Sequence, residues 1–339
     1  MVKTLPGDVM PQIVTSHIDL IRLIGGLIAL FIGGEALIRG ATALADKLGV
    51  PKLVIGVTII GFGTSLPELL VAFQAGNQGA PDIALGNIIG SNIANLLLIL
   101  TMGALILPVA STARNLRRDA LVMLLATGGL IWCAWRGQAT RLDGEILTAA
   151  LVLYLLIVLV GASRSKMAEA TPIASLSVPR ALLYLLAGMA GLILGADQLV
   201  IGATHLARHL GVSEAVIGLT VVALGTSLPE LTVSVISALR RQNEVALGNV
   251  IGSNIFNILG ILGIAAWVRP MVVSPHFLRL DLPLLAGASL VVVALVLRAK
   301  PLGRVFALAG LTVYALYCAW IVLGDAMFDP LFAQLQRLI

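Results

Sequence analysis

Long apolar stretches alternate with short polar breaks along this chain, and each apolar stretch is long enough to cross a bilayer. A crossing helix needs about 20 mostly apolar residues. The pattern predicts ten of them, near residues 21–44, 53–77, 82–108, 119–136, 144–163, 181–207, 214–239, 245–268, 280–298 and 304–324. The breaks are short. The longest, 164–180, holds Pro172 and Pro179 among polar residues and reads as a linker. Composition agrees, since 59% hydrophobic and 12% charged residues leave far too little polar surface for a water-soluble fold. The expected class is an all-α integral membrane protein.

The chain also repeats itself. A shift of 162 residues carries 49–95 onto 211–257 without a gap, and about half of the aligned positions are identical. Gly63 to Leu69 returns as Gly225 to Leu231, Ala84 to Asn87 as Ala246 to Asn249, and Gly90 to Ile93 as Gly252 to Ile255. The helices therefore divide into two five-helix halves, 21–163 and 181–325, with their motifs at 61–95 and 223–257. Five is odd, so the second half enters the membrane from the opposite side. Ten transmembrane helices would then form two inverted-topology repeats, which place substrate sites near the midplane between the halves.

Charge adds orientation. Lys and Arg are scattered, with no basic run longer than two residues, which argues against nucleic acid as a partner. The loops that include Arg114, Arg117, Arg118, Arg164, Lys166, Arg240, Arg241 and Lys300 are the richer set and should be cytoplasmic, the 164–180 linker with them. Both termini then face outward. The first apolar run is too long for a signal-peptide core and reads as a retained helix. Cys133 and Cys318 lie in apolar runs and read as small core residues. Arg22, Arg39, His17, His205, His209 and His276 lie near helix ends and read as interfacial.

Glu68 and Glu230 fall inside apolar stretches at matching repeat positions. A charge at the bilayer centre costs at least about 2.5–3.5 kcal/mol on insertion scales, so a matched pair points to a cation pathway rather than to packing. Thr64 lies four residues before Glu68 and Ser65 three before, on one helical face, and Thr226, Ser227 and Glu230 repeat the arrangement. These are hard oxygen donors, suited to Ca²⁺ or Na⁺ rather than to soft metals. Pro67 and Pro229 cannot donate to the carbonyls of Gly63 and Gly225, so each helix should kink or unwind beside its Glu. Carbonyls freed at that depth are tolerable where they are buried in protein or line a cavity, and there they can ligate an ion.

Gly86–Gly90 and Gly248–Gly252 have the small-xxx-small spacing that lets helices approach closely. Ser91 and Asn95, four apart, share a face that could complete an ion's shell. Asn87, Asn92, Asn249 and Asn254 read as hydrogen-bonded links between helices, with a place in the shell as the alternative. Glu35 and Asp197 are related by the same shift. Glu35 has Arg39 four residues on, which suggests a local ion pair, or alternatively a gate residue near an ion entrance.

The doubled GTSLPE and GN–hydrophobic₂–GSN–hydrophobic–x–N segments resemble the two α-repeats of the cation/Ca²⁺ exchanger superfamily, in its compact prokaryotic form. The repeat core covers about 95 residues and the ten-helix layout extends the resemblance over the chain. The resemblance implies a secondary antiporter exchanging Ca²⁺ for Na⁺ by alternating access, with the first and sixth helices sliding, in the inner membrane of a prokaryote. It implies Glu68 and Glu230 as central Ca²⁺ ligands. Thr64, Ser65, Thr226 and Ser227 would contribute oxygens, and Ser91 and Ser253 would serve flanking Na⁺ sites. The carbonyls of Gly61 and Ala223 would take outer and inner Na⁺ positions, with Asn95 and Asn257 at the middle site. One departure stands out: well-studied microbial members carry Asp at the position of Asn257, which leaves the driving ion and its count open.

H⁺- or K⁺-coupled exchange is an alternative, as is a passive cation channel with the same ligands. An intramembrane enzyme fits poorly: no His lies mid-helix as a base, and Gly-Thr-Ser-Leu-Pro lacks the second Gly of a nucleophile elbow. The expected partners are the transported Ca²⁺ and Na⁺ and the lipid bilayer, with no cofactor. No feature fixes the oligomeric state, and a monomer is compatible with the sequence.

Overall fold

A computed structural model describes residues 9–77, 80–108, 114–164, 176–209 and 223–327. In chain order the main helices are α1 (Val9–Leu48), α2 (Lys52–Thr64), α3 (Leu66–Asn77), α4 (Pro81–Ile106), α5 (Arg114–Trp135), α6 (Arg141–Arg164), α7 (Val178–His209), the short α8 (Ala223–Gly225), α9 (Leu228–Leu239), α10 (Asn243–Val268), α11 (Asp281–Leu297) and α12 (Arg304–Met327). Two two-residue strands, β1 (Gln138–Ala139) and β2 (Met271–Val272), pair antiparallel between the α5–α6 and α10–α11 connections. Among the described residues seven helices are long and apolar enough to cross a membrane, or eight if the bent pair α2 and α3 counts as one. Linker residues 165–175 and residues 210–222, which include the start of the second repeat copy, lie outside the described residues.

The outside is apolar, as a bilayer requires, and polar groups are held within an otherwise apolar interior. Leu20, Ile24, Leu27, Phe31, Leu153, Leu156, Leu186, Val305 and Leu316 are exposed, whereas Glu68, Glu230, Asn95, Asn254 and Asn257 are buried. The most apolar window of α4 is 78% buried and that of α10 83%, against 11% for α12, so α4 and α10 form the centre and α12 the rim. Small residues permit the central packing. A Cβ on Gly252 would lie 2.4 Å from the Val57 carbonyl oxygen, and one on Gly248 2.8 Å from that of Leu53, so α10 meets α2 backbone to backbone. The close-approach role expected for this pair is what the structure shows.

The two longest helices, α1 and α7, pack along most of their length. Gly26 faces Leu199, Gly33 faces Leu192 and Gly40 faces Leu185. Positions rise by seven on α1 as they fall by seven on α7, so the helices are antiparallel. The α7 glycines at 188, 195 and 202 are the same three positions carried by the 162 shift, and they press on Leu37, Leu30 and Asp19 in turn. A glycine ladder of period seven thus runs up both faces of one contact. At one end of it Asp19, almost fully buried, contacts Arg22 Nη1 at 3.5 Å and His205 Nδ1 at 2.9 Å. His205 therefore ties α1 to α7, a role its interfacial reading does not contain.

Elsewhere one contact joins equivalent residues of the two halves, and one equivalent pair differs. Thr127 and Ser289, equivalent under the shift, lie Oγ1 to Oγ 3.5 Å apart where α5 meets α11. Glu35 pairs with Arg39, as expected, and also with Arg240 just beyond α9. Its counterpart Asp197 lies exposed on α7 and accepts a hydrogen bond from Gln198 at 3.2 Å.

Candidate ion-binding site

Both motif helices break beside their glutamate. Ser65 separates α2 from α3 with φ −84° and ψ 8°, and the two helices diverge by 42°. Ser227 has nearly the same conformation, φ −90° and ψ 4°, ahead of α9. Each helix restarts with a proline in its first turn, where a missing N–H costs nothing. The restart puts Glu68 and Glu230 in first turns, next to the positive end of a helix dipole. The break inferred from proline chemistry is therefore present in both copies.

The carboxylates are held crosswise. Glu68 Oε1 accepts from Ser91 at 3.4 Å in its own half and from Ser227 at 3.3 Å in the other. Glu230 Oε1 accepts from Ser253 at 3.3 Å and from Ser65 at 3.1 Å in the other half. Both residues are 0% exposed, and each has its second oxygen, Oε2, buried without a hydrogen-bond partner. No ion pair among the described residues includes either. A buried charge needs a charged partner or a full set of hydrogen bonds. Each unpartnered Oε2 is an oxygen donor that could ligate a cation.

A second tier of asparagines braces the first. Asn87 Nδ2 donates to the Glu68 carbonyl and Asn249 Nδ2 to the Glu230 carbonyl, both at 3.2 Å. Their Oδ1 atoms accept across the halves, Asn87 from Thr226 at 3.4 Å and Asn249 from Thr64 at 3.1 Å. These two are the helix links expected from sequence, and they fix the backbone at each break. Thr64 Oγ1 also lies 3.1 Å from the Ile60 carbonyl oxygen and 3.3 Å from Ser253 Oγ. The carbonyl of Gly61 accepts from Ser253 Oγ at 3.2 Å, so it lies beside the Glu230 tier, and Ala223 opens α8.

Asn95 and Asn257 each fall in a π-helical stretch, Asn95–Ile99 and Phe256–Leu262. Such widened turns are frequent at functional sites. Asn95 Nδ2 donates to Asn254 Oδ1 at 3.2 Å, linking α4 to α10, while its Oδ1 is buried and unpartnered. Asn257 has both Oδ1 and Nδ2 buried and unpartnered. Asn92 departs from its expected linking role: its Nδ2 turns back onto the Ile88 carbonyl of its own helix at 2.7 Å. The structure thus brings Glu68, Glu230, Ser65, Ser91, Ser227 and Ser253 into one hydroxyl–carboxylate cluster braced through Thr64 and Thr226, while Asn95 and Asn257 follow Ser91 and Ser253 by four residues on α4 and α10.

Comparison with known proteins bears on what such a cluster serves. The family profile described as "Sodium/calcium exchanger protein" matches residues 18–160 and 180–323. The chain belongs to this family. It is 30% identical over 314 residues to the sodium/calcium exchanger MaX1 of Methanosarcina acetivorans, covering 81% of this chain and 90% of that one. It is 34% identical over 290 residues to the inner membrane protein YrbG of Escherichia coli, covering 82% and 89%. It superimposes on the sodium-calcium exchanger NCX_Mj, soaked with Na⁺ and Sr²⁺, with a TM-score of 0.78 at 33% identity, covering 89% of this chain and 98% of that chain. This exchanger family transports cations across membranes, and the chain is accordingly a membrane transporter of the cation/Ca²⁺ antiporter type rather than an enzyme.

Proposed function

We propose that this protein is a secondary antiporter that exchanges Ca²⁺ for Na⁺ by alternating access, and that Glu68 and Glu230 hold the Ca²⁺ together. The observation that carries the reading is the pair of buried carboxylates, each with one oxygen bonded to serines of both halves and the other oxygen unpartnered. The serines Ser65, Ser91, Ser227 and Ser253, the carbonyls of Gly61 and Ala223, and the amides Asn95 and Asn257 complete the shell for Ca²⁺ or Na⁺. Thr64 and Thr226 hold the geometry. The chain crosses the membrane ten times in two inverted halves, 21–163 and 181–325. Contacts that recur with exchanged partners, the Thr127–Ser289 meeting and the antiparallel α1–α7 pair support that arrangement. The protein sits in a prokaryotic inner membrane, the basic loops and the 164–180 linker are cytoplasmic and the termini face outward, as the distribution of Lys and Arg argues.

The glycine ladder supports sliding as the access movement. The close glycine contact holds α1 and α7 as one pair, able to slide together against the rest of the helices. Reconstituted into liposomes, the protein should take up ⁴⁵Ca²⁺ only when Na⁺ is supplied on the opposite side. Uptake that proceeds with no trans ion consumed would mean a channel. K⁺ and H⁺ gradients tested alongside decide the driving ion.

The bracing tier gives a graded expectation. Asn249→Ala removes the donor to the Glu230 carbonyl, a contact with Ser234 at 3.1 Å and the acceptor for Thr64. Leaving such buried groups unpaired costs about 1–3 kcal/mol. The Ca²⁺ concentration for half-maximal flux should rise about tenfold. An unchanged value would remove Asn249 from the account.

A further inference from the structure

We propose that the ion pair between Glu35 of α1 and Arg240, just beyond α9, is an access latch, which holds the cytoplasmic side of the transporter shut and breaks when that side opens. This role rests on the alternating-access reading and the loop orientation above. Neither residue belongs to the ion-binding cluster.

The two partners stand on parts that would move relative to each other. Glu35 rides on α1, one member of the α1–α7 pair. Arg240 is fixed to the helix that carries Glu230. Its backbone N–H closes the last turn of α9 onto the Ile236 carbonyl at 2.9 Å. The tight turn after it, with Arg241 at φ 57° and the Gln242 N–H on the Ser237 carbonyl at 2.8 Å, leads directly into α10. Arg240 follows Glu230 by ten residues, about 15 Å along a helix, or about half the thickness of the hydrocarbon layer. That distance puts it at the cytoplasmic mouth of the site. Beside Glu35, a Cβ on Gly34 would lie 2.7 Å from Ile236 Cδ1 and 2.9 Å from Thr232 Cγ2, so α1 is seated directly on α9 at this level.

Glu35 Oε1 accepts from both Arg39 and Arg240. Arg39 is on α1 itself and travels with Glu35. Arg240 is the partner that a slide of α1 would leave behind. Arg39 then keeps the carboxylate paired, so the latch opens without stranding a lone charge in the interface.

The other half has no such latch. The 162 shift carries Glu35 to Asp197, but it carries Arg39 to Ile201 and takes Arg240 back to Gln78. Asp197 is exposed, and no ion pair among the described residues includes it. The helix surfaces differ in the same sense. Ile236, under α1, is 4% exposed, whereas its counterpart Gln74 on α3 is exposed, and Leu70, the counterpart of Thr232, is 56% exposed. α1 packs on α9, while the equivalent pair, α7 with α3, scarcely touches among the described residues. Halves related by a two-fold axis in the membrane plane can exchange their packings, and that exchange turns a route shut on one side into a route shut on the other. The exchanged packing offers Asp197 no arginine at either repeat position. The Glu35–Arg240 pair therefore stabilises one access state with no counterpart in the other, and a contact made in one state only shifts the balance by its whole free energy.

The test uses the intact protein in right-side-out and inside-out membrane vesicles. Exchange of Ca²⁺ for ⁴⁵Ca²⁺, with no other ion gradient, gives the half-maximal Ca²⁺ concentration at each face. Apparent affinity at a face scales with the fraction of the protein open there, so the ratio of outer to cytoplasmic half-maximal concentrations follows the state balance. Arg240→Gln and Glu35→Gln should each raise that ratio about fivefold, the upper range for a partly exposed pair. The double substitution should raise it no further than the larger single one. Arg240→Lys keeps the charge and should stay near the parent ratio, and Arg39→Gln leaves the crossing contact in place and should not raise it. Half-maximal concentrations that stay unchanged in Arg240→Gln and Glu35→Gln, or move by the same factor at both faces, overturn the latch and leave the antiporter standing. A ratio that falls overturns the assignment of the latch to the cytoplasmic side. Absence of Ca²⁺ exchange in the parent overturns the antiporter reading and the latch together.

Discussion

Glu68→Gln and Glu230→Gln, made singly, should each abolish Na⁺-gradient-driven ⁴⁵Ca²⁺ flux in liposomes. Gln keeps the size of Glu and keeps an Oε1 acceptor for the serines, so Ser65 and Ser253, or Ser91 and Ser227, retain their partner. What changes is one negative charge beside a divalent cation at a fully buried position. Removing one member of a buried charge pair costs roughly 3–5 kcal/mol, which is two to three and a half decades in affinity. The crosswise serines make the two positions equivalent, so both losses should be of similar size. Thermal stability of the purified variants should stay close to that of the parent, separating loss of binding from loss of fold. Full flux in both variants would sink the assignment.

Gly188→Val should be strongly damaging although it lies outside the site. A Cβ there would lie 2.4 Å from Leu37 N and 2.8 Å from the Gly33 oxygen. Both are backbone atoms in the middle of a helix, so neither can move aside as a side-chain tip would. Overpacking a well-packed position costs typically about 1–3 kcal/mol, occasionally more, and here the bulk also forces apart the α1–α7 pair that would slide together. Melting in detergent should fall by several degrees and flux should be lost. Gly25→Val, on the partner helix α1, is the control, since nothing lies within 4 Å of its Cβ position. Equal losses in the two variants would show that the ladder has no special role.

Much of the site was legible because local chemistry defines it. A glutamate after Ser-Leu-Pro inside an apolar run announces both the break and the charge, and its recurrence 162 residues later announces the pairing. The bracing roles of Asn87 and Asn249 were visible only as one of two alternatives. Nothing local says that each amide reaches its own half's Glu carbonyl and the other half's Thr. The length of α1 was underestimated, because an apolar run measures the hydrocarbon layer, whereas α1 starts at Val9 and continues to Leu48. The glycine ladder was present as a period of seven at 26, 33, 40 and at 188, 195, 202, outside the stretch where identity reveals the repeat. The Asp19–His205 contact left no signal, for their repeat positions hold Ala181 and Ala43.

The central claim is that two glutamates, one from each half, make a single Ca²⁺ site. Equilibrium binding of ⁴⁵Ca²⁺ to the purified protein tests it most directly, without reference to coupling or orientation. The account predicts one Ca²⁺ per chain, and its loss in Glu68→Gln alone and in Glu230→Gln alone. Two Ca²⁺ per chain, each lost with only one of the two substitutions, would contradict it.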